Sequence, residues 1–358
     1  MDTVPIRFCE DVFNTLQWYE CNFRAAAREL PEPWKAVAKR LGAKRRTFKI
    51  AFCMAHGKWS CWMEGGPLVS FEPQSLEELL AVNRRYLGCS EIVVSEEEYL
   101  MMYNKICSRK EDITDRLIPF LNTIPQNTNL RFCCSKETTQ AYLEIFRNLR
   151  IFYYIDLPYC GRESEDFLAV QITNSPRFKA CRFLGPWPNT ETVEKLVIRF
   201  LESGMDPCFC IKPPDDPEER ESSLKVTLPI MKAAFNLWYD LGSNRIAVDG
   251  PQGPTMEELL SLPVPGDLWR VEDSCSWAEG SASIVRWSKP DGSCFTCEFL
   301  ENSRYLRIRG EKKKNCQPSV EEGALRSVPE DAKGGSESDS DWFFDTEYKG
   351  SRASSSMS

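Results

Sequence analysis

Cysteine is the residue type that most suggests chemistry in this chain. Sixteen of the 358 residues are cysteine, spread from Cys9 to Cys316, and only one histidine, His56, accompanies them. Thiolates ligate zinc and attack electrophilic centres, so both chemistries have to be weighed. Cys294-x-x-Cys297 has ligand-like spacing. A structural zinc site needs four donors, however, and Cys208-x-Cys210 and Cys275 are only scattered additions. The sequence therefore predicts no metal site and no cofactor. Nucleophilic catalysis would pair a cysteine with His56, which sits in Cys53-Met54-Ala55-His56-Gly57-Lys58-Trp59 and reads as a turn after a strand over Thr47–Met54. Neither Gly-x-Ser-x-Gly nor His-Glu-x-x-His occurs. Gly250-Pro251-Gln252-Gly253-Pro254 lacks the Lys-Ser/Thr of a phosphate cradle, and its prolines remove backbone donors, so it reads as a turn. No catalytic residue is assigned. A Cys-dependent enzyme stays open only as a site built from separated residues.

Many cysteines stand in apolar runs such as Phe132-Cys133-Cys134 and Phe209-Cys210-Ile211. There a reduced thiol serves as a small buried hydrophobe. Hydrophobic residues make up 42% of the chain, enough to build a core, and the net charge is −8, which argues against a bulk nucleic-acid binder. No apolar run reaches the roughly 18–20 residues of a membrane span, and Met1-Asp2-Thr3-Val4-Pro5 lacks a signal-peptide layout. A cytoplasmic or nuclear protein is expected.

The elements that must position any site alternate between strand and helix from residue 45 to residue 310. Strand-like runs occur at Ile92–Val94, Arg131–Cys134, Ile151–Leu157, Lys179–Leu184 and Cys208–Ile211. Ser75-x-x-Glu78 and Ser95-x-x-Glu98 fit capping boxes, and Ser135 is placed to cap a further helix. After Asn189, Val193, Leu196, Val197, Phe200 and Leu201 recur at helical spacing, with Gly204 as the stop. Strand starts at 131, 151, 179 and 208 follow at roughly the 20–30 residues of leucine-rich-repeat-type units. The Leu-x-x-Leu-x-Leu consensus is absent, so a mixed or parallel α/β layer is the reading and a solenoid an option. Beyond residue 223 come a helix kinked or begun at Pro229, a short helix capped by Thr255, and an antiparallel meander over Ser281–Trp287, Ser293–Leu300 and Arg304–Arg309. Four segments result: a helical segment over 1–45, an α/β body over 46–222, helices plus meander over 223–310, and an acidic, Ser-rich tail over 311–358 expected to be disordered. In that tail, Ser336–Asp341 alternates serine with acid, and Trp342-Phe343-Phe344 reads as a short docking motif.

Lys35, Lys39, Arg40, Lys44, Arg45, Arg46 and Lys49 form the one concentrated basic stretch. RNA binding or nuclear import is the sharp reading. Trp34, Val37, Ala38 and Leu41 recur at i, i+3, i+4 and i+7, which favours the solvated face of an amphipathic helix, and base-stacking aromatics are not interleaved.

The first fifty residues carry the most informative pattern. Val4-Pro5 leads into Phe8, Val12 and Leu16, supported by Cys9 and Phe13. A second helical unit runs from Asn22 to Leu30, Pro31-Glu32-Pro33 breaks it, and Trp34 opens the basic helix. This order resembles an F-box, and the opening nine residues resemble the start of the large nematode families of F-box-like proteins. The resemblance covers about fifty residues. It implies that Pro5, Phe8, Val12, Leu16 and Trp34 dock the Skp-type adaptor of a cullin ubiquitin ligase, and that the body receives a protein substrate. The chain departs from the family in having Val4-Pro5 for Leu-Pro, and Glu20-Cys21-Asn22-Phe23 for the Asp-Leu step. Either departure weakens the implied docking. The same apolar residues could instead pack the first helices onto the body.

Overall fold

In the computed structural model, the described residues are 4–15, 20–65, 71, 73–96, 104–124, 127–203, 206–214, 216–241, 245–277, 280–300 and 304–311. They belong to one unit, Met1–Lys314. A second unit, Asn315–Ser358, lies outside the described residues, as does the expected disordered tail with its serine and aromatic motifs from residue 312 onward, whereas Glu311 still belongs to a strand.

Three helices open the chain: α1 (Ile6–Thr15), α2 (Glu20–Glu29) and α3 (Trp34–Lys44). Then β1 (Arg46–Ala55) and β2 (Lys58–Gly65) form a hairpin around His56-Gly57, both at positive φ (51° and 73°). Two left-handed residues in a two-residue loop match the twist of the flanking strands, which explains the glycine. The chain continues through α4 (Leu76–Ala81), β3 (Leu87–Ser95), β4 (Asn104–Cys107), a π-helical turn (Asp112–Leu117) and α5 (Ile118–Leu121). Four strand–helix pairs follow: β5 (Thr128–Cys133) and α6 (Lys136–Phe146), β6 (Phe152–Pro158) and α7 (Arg162–Asn174), β7 (Ala180–Leu184) and α8 (Glu191–Ser203), β8 (Cys208–Lys212) and α9 (Pro217–Ser222). Then come α10 (Leu228–Leu241), β9 (Arg245–Pro251), α11 (Met256–Leu260), β10 (Trp269–Trp277), β11 (Gly280–Ser288), β12 (Cys294–Leu300) and β13 (Tyr305–Glu311).

The thirteen strands among the described residues join one sheet, in the order β10-β11-β12-β13-β9-β8-β7-β6-β5-β3-β1-β2-β4. From β1 to β9, through β3, β5, β6, β7 and β8, each neighbour is parallel and each is the next strand laid down in that direction. Parallel neighbours need a crossover, and the intervening helices supply it. The sheet therefore grows one way, without the reversal of strand order at which open α/β sheets place their ligand crevice. Antiparallel strands close both ends. β9 binds the two parts together, since β8 pairs with it in parallel and β13 antiparallel. The expected boundary at 222/223 falls between neighbouring strands of this sheet.

Helices cover one face. Phe52 of β1 meets Tyr142 and Phe146 of α6, Phe152 of β6 meets Phe167 of α7, and Phe178 meets Phe200 of α8. At the far end, Phe235 of α10 is edge-on to Trp287 and Phe295 of the meander. Buried Trp187 keeps its indole N–H satisfied by donating to the Leu157 carbonyl at 3.0 Å. The caps expected at Ser75, Ser135 and Thr255 are present, the last as a full capping box with Glu258. At Lys289-Pro290-Asp291-Gly292, the Gly292 N–H donates to the Lys289 carbonyl and Gly292 takes φ 81°, as the meander turn required.

One expectation changes. Gly250 and Pro251 end β9 instead of forming a turn, and a Cβ on Gly253 would lie 2.5 Å from the Val226 carbonyl oxygen. Close backbone approach dictates that glycine. Ser95 is the last residue of β3, and the helix expected after it lies outside the described residues from residue 97 onward. Among the described residues, no helix is long and apolar enough to cross a membrane.

Candidate functional site

The helices α1–α3 enclose their own small core, separate from that of the sheet. Cys9 and Phe13 of α1, Phe23, Ala26 and Ala27 of α2, and Val37, Ala38 and Leu41 of α3 are buried together. The apolar series of α1 thus divides into two stripes about 100° apart. Cys9 and Phe13 turn inward, while Pro5 and Phe8 are exposed and Val12 is half-buried. Phe8 is 54% exposed, and Ile6 beside it 50%. An edge-to-face relay runs inward from this surface. Phe8 meets Trp34 at a centroid distance of 6.1 Å, Trp34 meets Phe13 at 5.6 Å, and Phe13 meets Phe23 at 5.8 Å. Such pairs are worth about 0.5–1.5 kcal/mol each beyond area burial. Phe8 and Trp34 are therefore brought together, and Trp34 at the start of α3 is half-buried between surface and core. Leu16 lies outside the described residues.

A buried carboxylate locks this helical unit to the sheet. Glu10, with a side chain only 4% exposed, pairs with Arg40 of α3 and with Arg85 just before β3, the latter at 2.8 Å. Sequence reasoning passed over Glu10. The available signal was an acid standing between Cys9 and Phe13 on the inward stripe. The basic stretch is consumed in the same way. Arg40 holds Glu10, Lys44 lies over the Tyr86 ring, buried Arg45 lies over Phe23, and Lys49 pairs with Glu91 at 3.2 Å. The solvated-face expectation for α3 fits its buried Val37, Ala38 and Leu41, but several of the cations have specific intrachain partners.

On the sheet face opposite α4–α10, register places a row of charges. Lys49, Glu91, Arg131, Asp156 and Arg182 stand on successive strands β1, β3, β5, β6 and β7. Glu91 bridges Lys49 and Arg131 at 3.2 Å each, and Asp156 takes Arg182 at 3.0 Å and Arg131 at 3.7 Å. A second cluster follows on β9, β13 and β12. Arg309 holds both oxygens of Asp249, at 2.8 and 2.9 Å, while Arg307 reaches Asp249 and Glu298 at 3.7 Å each. Burial pushes the Asp156 carboxyl above its usual range, against the pull of Tyr154, Arg182 and Arg131. Glu91 lies opposite Lys49 and Asp156 opposite Arg182, while Arg131 meets Glu91 diagonally, so alternating charges share this face.

The thiols are placed as packing groups. Burial pushes Cys61, Cys89, Cys181 and Cys297 upward, and raises Cys134 to about 11 and Cys208 to about 12. Cys107 is lowered by the hydrogen bond from Cys61 opposite it on β2. Cys294 and Cys297 lie three residues apart on β12, which sends them to opposite faces. Among the described residues, no group of three or more His, Cys, Asp or Glu side chains could hold a metal ion. His56 is exposed at its hairpin tip. A cleft of about 370 Å³ lies between α6 and α7, lined by Gln140, Glu144, Arg147, Glu163 and Asp166 among others; its rim is acidic.

Comparison of the chain with protein-family models, with curated proteins and with solved structures finds no match.

Proposed function

We propose that this chain is a non-enzymatic interaction protein, an F-box-like substrate receptor of a cullin-type ubiquitin ligase. In this reading α1–α3 dock a Skp-type adaptor through Pro5, Phe8, Val12, Leu16 and Trp34, and the α/β body recognises a protein substrate. The observation that carries it is the exposure of Phe8, with Ile6, on a helical unit whose own core is already complete without them. The Phe8 ring touches that core only through the edge of Trp34, and covering its exposed half by a partner is worth about 1 kcal/mol. Glu10 holds the surface in a fixed pose on the body, so less ordering is left to oppose binding.

The test is capture of the full chain on an immobilised Skp-type adaptor, wild type beside Phe8→Asp. Retention of the wild type and loss of the variant support the proposal. No retention of the wild type, or equal retention of both, overturns it.

A further inference from the structure

The two edges of the sheet differ. β4 has four residues, includes Lys105, and meets β2 with a shift of register between Cys61 and Trp62. Short length, a lysine and an irregularity are the usual devices that keep an edge from pairing with another chain. β10 carries none of them. It runs for nine residues without lysine or proline, and it pairs with β11 in unbroken register from Trp269↔Ser288 to Trp277↔Gly280. Trp269 and Val271, two apart and thus on the same face, are each 49% exposed. Exposed tryptophan and valine on a long, regular edge strand mark a surface that another strand completes.

The segment around Val271 also fits itself. Arg270 and Glu272 flank Val271 and share the opposite face, where Arg270 Nη2 lies 3.4 Å from Glu272 Oε1. If two copies of β10 meet antiparallel about a two-fold axis at Val271, then Val271 stands opposite its own copy. Arg270 then faces the second copy's Glu272, twice over by symmetry, and each Trp269 reaches the other Val271 diagonally. Opposite charges fall into register on one face and the Val271 pair on the other, where each Trp269 stands opposite the second copy's Asp273.

We propose that β10 is a self-pairing edge, through which two copies of this chain join their sheets antiparallel about Val271. The contact involves one strand per copy, well below the size of obligate interfaces, so the dimer is weak and exchanges rapidly. It does not depend on the adaptor reading and is measured without an adaptor.

Sedimentation equilibrium of the full chain from 10 to 300 µM tests it, with far-ultraviolet circular dichroism confirming that each variant is folded. The wild type is expected to show a monomer–dimer equilibrium. Arg270→Glu alone sets like charges opposite each other and weakens dimerisation about 10-fold, as does Glu272→Arg alone. The double swap restores opposite charges and recovers wild-type association to within about 3-fold. Val271→Pro, which blocks backbone pairing on an edge, abolishes it. A wild type that stays monomeric at 300 µM overturns the proposal, as does a dimer indifferent to Arg270→Glu or a double swap that fails to rescue.

Discussion

Phe8 stands edge-on to Trp34, with ring planes at 75°, and Trp34 carries the contact inward to Phe13. The outer ring of this relay is in water, and the inner one is buried. Replacing them should therefore have unequal consequences. Phe8→Asp is expected to change thermal stability by less than about 1 kcal/mol, because it removes one half-solvated edge contact. Phe13→Ala is expected to cost about 3–5 kcal/mol, because it opens a cavity in the core it shares with Phe23, Val37 and Leu41. Urea denaturation of both variants checks the difference; equal losses would mean that Phe8 belongs to the core.

Glu10 ties α1 to both α3 and the body. Glu10→Gln removes the charge and leaves Arg40 and Arg85 facing each other without it. Breaking a buried pair costs up to 3–5 kcal/mol, but both guanidiniums are more than a third exposed, so about 1–3 kcal/mol is expected. The loss should concentrate in residues 4–44. Hydrogen exchange should show these helices opening more often while β5–β8 keep their protection; uniform deprotection would contradict the role assigned to Glu10.

Thiol chemistry separates the interaction reading from a Cys-dependent enzyme. Cys133 is exposed at the end of β5, whereas Cys89, Cys181 and Cys297 are buried with raised pKa values. Iodoacetamide at neutral pH should modify exposed Cys133 in the folded protein. The three buried thiols should react about 100-fold more slowly until the protein is unfolded. A described cysteine reacting much faster than free thiol would favour catalysis, and mass-spectrometric mapping reads the result.

Acid should act with opposite signs at two carboxyls. Hydrogen bonds from Ser135 and Thr138 hold Glu96 below its ordinary value of 4.5, so the stability it contributes is present above 4.5 and is lost as pH falls through its lower, folded value. Burial holds Asp156 above its ordinary value of 3.8, so its contribution is complete below 3.8 and is lost as pH rises through its folded value. On acidification from pH 6 toward 3, Glu96→Gln should lose less stability than wild type, and Asp156→Asn should lose more. Urea midpoints across that range decide it.

Much of the fold is legible in the chain because local signals and tertiary structure agree. Five runs rich in β-branched, aromatic or cysteine residues became β3 and β5–β8, and the helix of Val193 to Leu201 became α8. The meander announced itself by alternation, with Val285 and Trp287 buried between half-buried Ile284 and exposed Arg286. Strands β2, β4, β9 and β10 were hidden. β10 reads Trp-Arg-Val-Glu-Asp-Ser-Cys-Ser-Trp, whose polar residues carry no strand signal, and only its pairing with β11 makes it a strand. The apolar pattern of α1 was visible, but its division into an inward Cys9–Phe13 stripe and an outward Phe8 depends on where α3 packs. Glu10 and the charge row from Lys49 to Arg182 depend on register between distant strands, which no local window contains.

The central proposal is a docking surface for an adaptor, and its most direct test is the dissociation constant for purified Skp-type adaptor, measured by isothermal titration on the full chain. Wild type should bind, and Phe8→Asp, folded as wild type by circular dichroism, should bind at least 10-fold more weakly. No heat of binding with the wild type at 100 µM, or the same constant for both proteins, would contradict it.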